Sequence, residues 1–284
     1  MELMALVPTG KLVAEAAVGG TGVAAFNVIT LEHAEAITAG AAAAGRPVIL
    51  QISENAVKFH GGQLGPITAA ARAVAELASV DVALHLDHVE SVALLRQAPE
   101  HGFSSVMFDA STLPYAENVA ATRAAAEFCH EHGLWLESEL GTVGGKDGAP
   151  PLGAHAPGAR TDPAEAAAYV AETGVDALAV AVGSSHAMTS RDAALDHDLI
   201  AALKNAVTVP LVLHGSSGVG DAELRRAVTG GLVKINIGTA LNIAATGAVR
   251  EILSTDPKLV DPRKYLRPAR DAMSATVRHF LTLL

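Results

Sequence analysis

The feature that most limits how this chain can fold is an alternation: eight short apolar runs of β type, separated by Ala-rich stretches of helical character. The runs are VAAFN from Val23, PVILQ from Pro47, VALHLD from Val82, SSVMFD from Ser104, LWLESE from Leu134, DALAVAV from Asp176, PLVLHG from Pro210 and LVKINI from Leu232. Near-continuous apolar runs of this length are what strands buried on both faces require. The segments between them include LEHAEAITAGAAAAG, ITAAARAVAELASV, YAENVAATRAAAEFCHEHG, DPAEAAAYVAETG and DAELRRAVTGG. Several end in Gly just before the next strand, as helix C-caps do. Eight such units predict an α/β fold, a (β/α)8 TIM barrel. An open doubly wound sheet would carry G-x-G-x-x-G after its first strand, where AFNVITLEHAE stands instead. The 284 residues suit one barrel, for which about 250 is typical. No linker divides them, so a single domain over 1–284 is expected, with a turn and a terminal helix outside the barrel from about Thr255.

Composition narrows the function. With 50% hydrophobic and 18% charged residues the chain can bury a large core, and disorder is excluded. A formal net charge of -10 argues against a nucleic-acid partner, because nothing offsets repulsion from phosphates. One Cys excludes a disulfide framework and fits a reducing compartment. No apolar run reaches membrane-spanning length and the first residues lack a signal-type core, so a cytoplasmic protein without a membrane partner is expected.

A barrel of this kind carries its active site at the C-terminal ends of its strands. The polar residues at those ends are Asn27, Ser53, Asp87 with His88, Asp109, Glu139, His186, His214, and Asn236 with Thr239. Three converging imidazoles, His88, His186 and His214, make a catalytic-metal arrangement with an open fourth position; the alternative is that each caps a strand. HLDH sets Asp87 and His88 on opposite sides of a strand end, one toward the pocket as acid or base and one toward the metal. Asp87 could equally orient a ligand, and Asp109 and Glu139 are further carboxylates at the rim. His214-Gly215-Ser216-Ser217 and Asn236-Ile237-Gly238-Thr239 end the seventh and eighth strands, where such barrels build phosphate sites from backbone N–H groups and a helix N-terminus. Lys234 shares the parity of Asn236 and points into the barrel, either to form a Schiff base or to pair with a carboxylate below the site. Gly141 to Asp162 is long and Gly/Pro-rich, the profile of an active-site loop, whereas Cys129-His130-Glu131-His132 closes a helix on the wrong face and reads as surface.

Taken together, AFNV, LHLDH, FDAS, ENV, ESELGTVGG, DALAVAVGSSH, PLVLHGSSG, KINIGTAL and DPRKYLRPARDAM resemble the class II, metal-dependent ketose-bisphosphate aldolases, especially their tagatose/fructose-bisphosphate branch. The resemblance implies a Zn2+ enzyme (or one using another divalent transition metal, with a monovalent cation besides). It would interconvert a ketose 1,6-bisphosphate, fructose or tagatose, with dihydroxyacetone phosphate and glyceraldehyde 3-phosphate; the alternatives are an aldolase of this class acting on a different phosphorylated or sulfonated ketose, and a metal-dependent hydrolase on the same barrel. It further implies His88, His186 and His214 as metal ligands, with Asp109 and Glu139 matching positions that take an alternate metal. Asp87 would exchange the C4-hydroxyl proton, and Asn27 and Ser53 would face the substrate. Gly215 to Ser217 and Asn236 to Thr239 would cradle the phosphate end. Arg267 would hold a second phosphate, often from a neighbouring subunit, which implies a homodimer or homotetramer. Two departures stand out. Ala187 replaces the Gly that usually follows the second metal His, in a place where φ > 0 would strain it. Asp147 stands where the loop's acid/base Glu usually does.

Overall fold

The computed structural model describes residues 6–141 and 159–284. The elements, numbered in chain order, begin with α1 (Thr9–Gly19), β1 (Val23–Asn27), α2 (Leu31–Ala44), β2 (Val48–Ser53), α3 (Glu54–Phe59) and α4 (Leu64–Glu76). Next come β3 (Val82–Val89), α5 (Val92–Leu95), β4 (Ser105–Phe108), α6 (Tyr115–Glu131), β5 (Trp135–Leu140) and α7 (Pro163–Thr173). The chain continues through β6 (Ala177–Val180), α8 (His197–Ala206), β7 (Leu211–Leu213), α9 (Asp221–Gly230), β8 (Leu232–Ile237), α10 (Thr239–Thr255) and α11 (Pro262–Leu281). The strands pair in parallel in the order β1 to β8 and close on themselves, so the barrel read from the sequence is the fold. Strands β6 and β7 stop earlier than their apolar runs suggest, because residues after Val180 and Leu213 leave the ladder to form the loops of the site.

The outer faces of the strands meet the helices in the main apolar core, and α1 closes the N-terminal end of the barrel. There Leu12, Val13 and Ala16 pack on Val23, Ala25, Ile49 and Ala83. After a turn beyond Thr255, helix α11 packs between α2 and α10 against the outside of the strand barrel, and its Phe280 meets Phe26 of β1 edge-on at 6.4 Å. Its buried face, Ala269, Met273, Val277, Phe280 and Leu281, supplies the cover β1 would otherwise lack. Cys129 differs from its surface reading: it lies on the buried face of α6, and burial pushes its thiol up to about 12. His130 does lie at the surface, 3.0 Å from Asp176. Among the described residues no helix is long and apolar enough to cross a membrane.

Candidate metal centre and substrate pocket

The site forms where β3 breaks its own alternation. Ser53 and Asp87 stand side by side in register, and then the pairing with β4 slips between Leu86 and Val89. His88 adopts φ 47°, in the left-handed region. That turn corrects the expectation that Asp87 and His88 lie on opposite sides of the strand end: both line one cavity. A non-Gly residue with positive φ costs energy, so the surrounding structure must hold it there.

His186, in the loop after β6, and His214, at the end of β7, converge on His88. One potential ligand atom from each of the three lies within 4.8 Å of the others. The ring of His88 is 5.1 Å from that of His186 and 4.7 Å from that of His214, centre to centre. His214 is fully buried between two carboxylates. Its Nε2 donates to Glu137 Oε1 at 2.9 Å, and its Nδ1 lies 3.1 Å from Glu139 Oε2. Burial opposes charge on this ring, but the two carboxylates outweigh it and lift His214 to about 9. The negative charge that here favours a proton would equally favour a metal ion. The donor set fits one: three imidazoles on one opening, with a ring N–H held by a carboxylate as metal-binding histidines have it. Asp109 Oδ2 lies 3.4 Å from His88 Nδ1, while Oδ1 accepts from the backbone N–H and hydroxyl of Ser111. The described residues thus bring together a cluster able to hold a metal ion, with Asp109 and Glu139 beside it.

Asp87 is buried in the same cavity. Burial works against its charge, but His88 and Lys234 around it hold the carboxyl below the ordinary range, so it stays ionised and able to accept a proton. The cavity measures about 390 Å³ and is also lined by Asn27, Ser53, Ala187, Gly215, Ser217, Asn236, Gly238 and Thr239. Gly215 has φ 67°, and a Cβ there would collide with the Ser185 carbonyl, so only Gly lets the β6 and β7 loops approach this closely. Helix α10 starts at Thr239 on the cavity wall, and Ser217 Oγ accepts from the Ala240 N–H. This helix N-terminus favours an anion. Two expected contacts do not face the cavity: the Ser216 hydroxyl is used on the Leu213 carbonyl, and the Ile237 side chain lies in the core. Ala187 takes φ 56°, the strained conformation its replacement of Gly leads one to expect.

Two further expectations fall elsewhere. Arg267 is on α11, lining a separate depression with Glu32, Glu35, Arg263 and Arg270. Arg270 is paired with Glu35 at 2.6 Å. Asp147 lies outside the described residues.

Below the cavity sits a polar layer that attention to strand ends alone passes over. Glu137, His85 and Lys234 are fully buried inside the barrel. Lys234 Nζ is 2.8 Å from Glu137 Oε2, the carboxylate pairing that was one of its two readings. Burial chiefly, with help from Lys234, pushes His85 down to about 3, so it is neutral. Its Nδ1 is 2.7 Å from Ser105 Oγ, which donates to Thr9 Oγ1 at 2.6 Å, tying the layer to α1. The signal was present in the alternation: Glu137 has the parity of Glu139, and His85 that of Asp87.

The chain matches the family model described as fructose-bisphosphate aldolase class-II over residues 7–284. It is 37% identical over 277 residues to a fructose-bisphosphate aldolase of Staphylococcus aureus, covering 97% of this chain and 96% of that protein. It is 39% identical over 279 residues to one of Geobacillus stearothermophilus, covering 96% and 95%. Among solved structures it is similar to the YdjI aldolase of Escherichia coli K12, with a TM-score of 0.83, 32% identity, and coverage of 98% and 97%.

Proposed function

The chain belongs to the class II fructose-bisphosphate aldolase family, and on that premise we propose a division of labour within its cavity. The enzyme is an aldolase that reversibly cleaves a ketose bisphosphate. In this reading the substrate is fructose 1,6-bisphosphate or its tagatose epimer, and the products are dihydroxyacetone phosphate and glyceraldehyde 3-phosphate. His88, His186 and His214 hold a divalent metal, Zn2+ first among candidates. When bound, such an ion supplies a Lewis acid for the substrate's carbonyl oxygen. Asp87 accepts the C4-hydroxyl proton as the C3–C4 bond breaks, and returns it to the aldehyde oxygen in condensation. Gly215, Ser217 and the N-terminus of α10 at Gly238–Thr239 bind the phosphate on the dihydroxyacetone side.

One observation carries this reading: three imidazoles and an ionised Asp87 share a single cavity with a helix N-terminus on its wall. The Schiff-base alternative finds no support. Lys234 is fully buried, ion-paired with Glu137 and absent from the cavity wall. The test is metal removal. Chelator-treated protein should lose nearly all aldol cleavage and regain it with Zn2+ or Co2+, and borohydride should trap no substrate adduct. Full activity after complete chelation would refute the assignment.

A second phosphate needs a cation, and no Lys or Arg lines the cavity among the described residues. We assign that role to Arg267 of a second copy of the chain, in a homodimer or homotetramer, since planar Arg suits bidentate phosphate contact. Arg267→Ala should raise KM for the bisphosphate far more than for a ketose 1-phosphate. Equal effects on the two substrates would remove Arg267 from the site and favour a ketose 1-phosphate as the natural substrate.

A further inference from the structure

Lys234 is the only Lys or Arg buried among the described residues, and the chemistry above makes no use of it. Its neighbours leave room for it: at this level β6 presents only the small Ala177 and Ala179. The ammonium has two partners, Glu137 Oε2 at 2.8 Å and Asn236 Oδ1 at 2.8 Å, and each reaches the site. Glu137 spends its other oxygen on His214 Nε2. That nitrogen therefore keeps its proton, and Nδ1 is the ring atom left for a metal. Asn236 lines the cavity, and its buried Nδ2 has no hydrogen-bond partner among the described residues. An ammonium only donates, so it can satisfy the amide's oxygen and never its NH2 group. With Oδ1 committed to Lys234, the NH2 group is the part of the amide left to serve the cavity.

We infer that Lys234 is a positioning residue with two outputs. Through Glu137 it fixes the orientation and tautomer of the metal-binding His214. Through Asn236 it fixes the flip of an amide, so that the cavity offers a donor to a substrate oxygen. The inference rests on the reading of the cavity given above. Burying an ion pair is costly, and apolar or neutral replacements are often tolerated by the fold, so stability alone does not account for a charge here.

The test compares the unsubstituted enzyme with Lys234→Met and with Lys234→Met/Glu137→Gln. The double variant strands no lone buried charge, so it serves where the single variant fails to fold. Zn2+ affinity is read by competition with a chromophoric chelator, and KM and kcat for fructose 1,6-bisphosphate at saturating Zn2+. Loss of an orienting partner should weaken Zn2+ binding by about 10–100-fold. A misdirected amide should raise KM by about tenfold, with kcat changing less, since the lost contact is one made to the bound ground state. Unchanged Zn2+ affinity in a folded variant overturns the His214 output, and unchanged KM overturns the Asn236 output. A double variant that does not fold returns Lys234 to a structural role. Failure of the unsubstituted enzyme to bind one Zn2+ per chain would overturn the three-histidine assignment instead, which separates the two claims.

Discussion

Ala187 and His88, at φ 56° and 47°, are the non-Gly residues held at positive φ among those described; His88 belongs to the three-histidine cluster and Ala187 follows its His186. For Ala187 the strain has a simple remedy. Ala187→Gly should raise stability by about 1 kcal/mol, read as a shift in the urea midpoint at constant slope. A lower midpoint would mean the Ala methyl contributes packing that outweighs its backbone cost. Asp87 tests chemistry rather than strain. Asp87→Ala should lower kcat by about 10²–10⁴-fold while bound zinc stays at the unsubstituted level by elemental analysis. If zinc is lost with activity, Asp87 orients a ligand and is not the proton acceptor. Much of this was legible beforehand. Asp87 and the three histidines stand out because polar groups at the ends of apolar runs need a reason, and Ala187 announces its strain by occupying a glycine's place. The turn at His88 leaves no mark in the sequence, since nothing in HLDH distinguishes a regular strand end from a bulged one. Glu137 and His85 were hidden only by attention to strand ends, for their parity already places them inside the barrel.

At the scale of elements, α2 and α11 pack closely enough to require a glycine. A Cβ at Gly40 would come within 2.6 Å of the Ser274 carbonyl and 2.7 Å of Val277 Cβ, so the two helices touch where the side chain is missing. Gly40→Ala should therefore destabilise the protein by about 1–3 kcal/mol despite alanine's better helix propensity. Thermal unfolding should show the loss, with kcat unchanged in the protein that remains folded. A neutral or stabilising result would mean that α11 shifts freely. The strands were legible because a continuous apolar run has few other uses. The place of α11 was not. An amphipathic helix records that one face is buried, and nothing in its own periodicity says against which neighbour. The same limit hid α1, whose apolar face closes the barrel's lower end.

For the molecule as a whole, a metal at the three histidines joins β3, β7 and the loop after β6, so binding should stabilise the whole fold. At a free metal concentration about 100 times Kd the gain is about 2.7 kcal/mol, worth several degrees in Tm. Differential scanning calorimetry with Zn2+ and with a chelator would read it, and identical melting curves would show that no such ion binds the native state. The polar layer gives the protein a second kind of unity, because Thr9 of α1 is hydrogen-bonded through Ser105 to His85 beneath Asp87. The closure of β1 by α11 has a consequence in time rather than space. On a ribosome β1 emerges well before Phe280, which covers Phe26 from 254 positions further along the chain. Until α11 is made, the outer face of β1 lacks that cover, and the ring of helices cannot close. A long-range contact of this kind forms slowly and leaves the nascent chain open to misassociation. Weakening it by Phe280→Ala should therefore show first as lost yield in cells, with the surviving protein retaining its turnover.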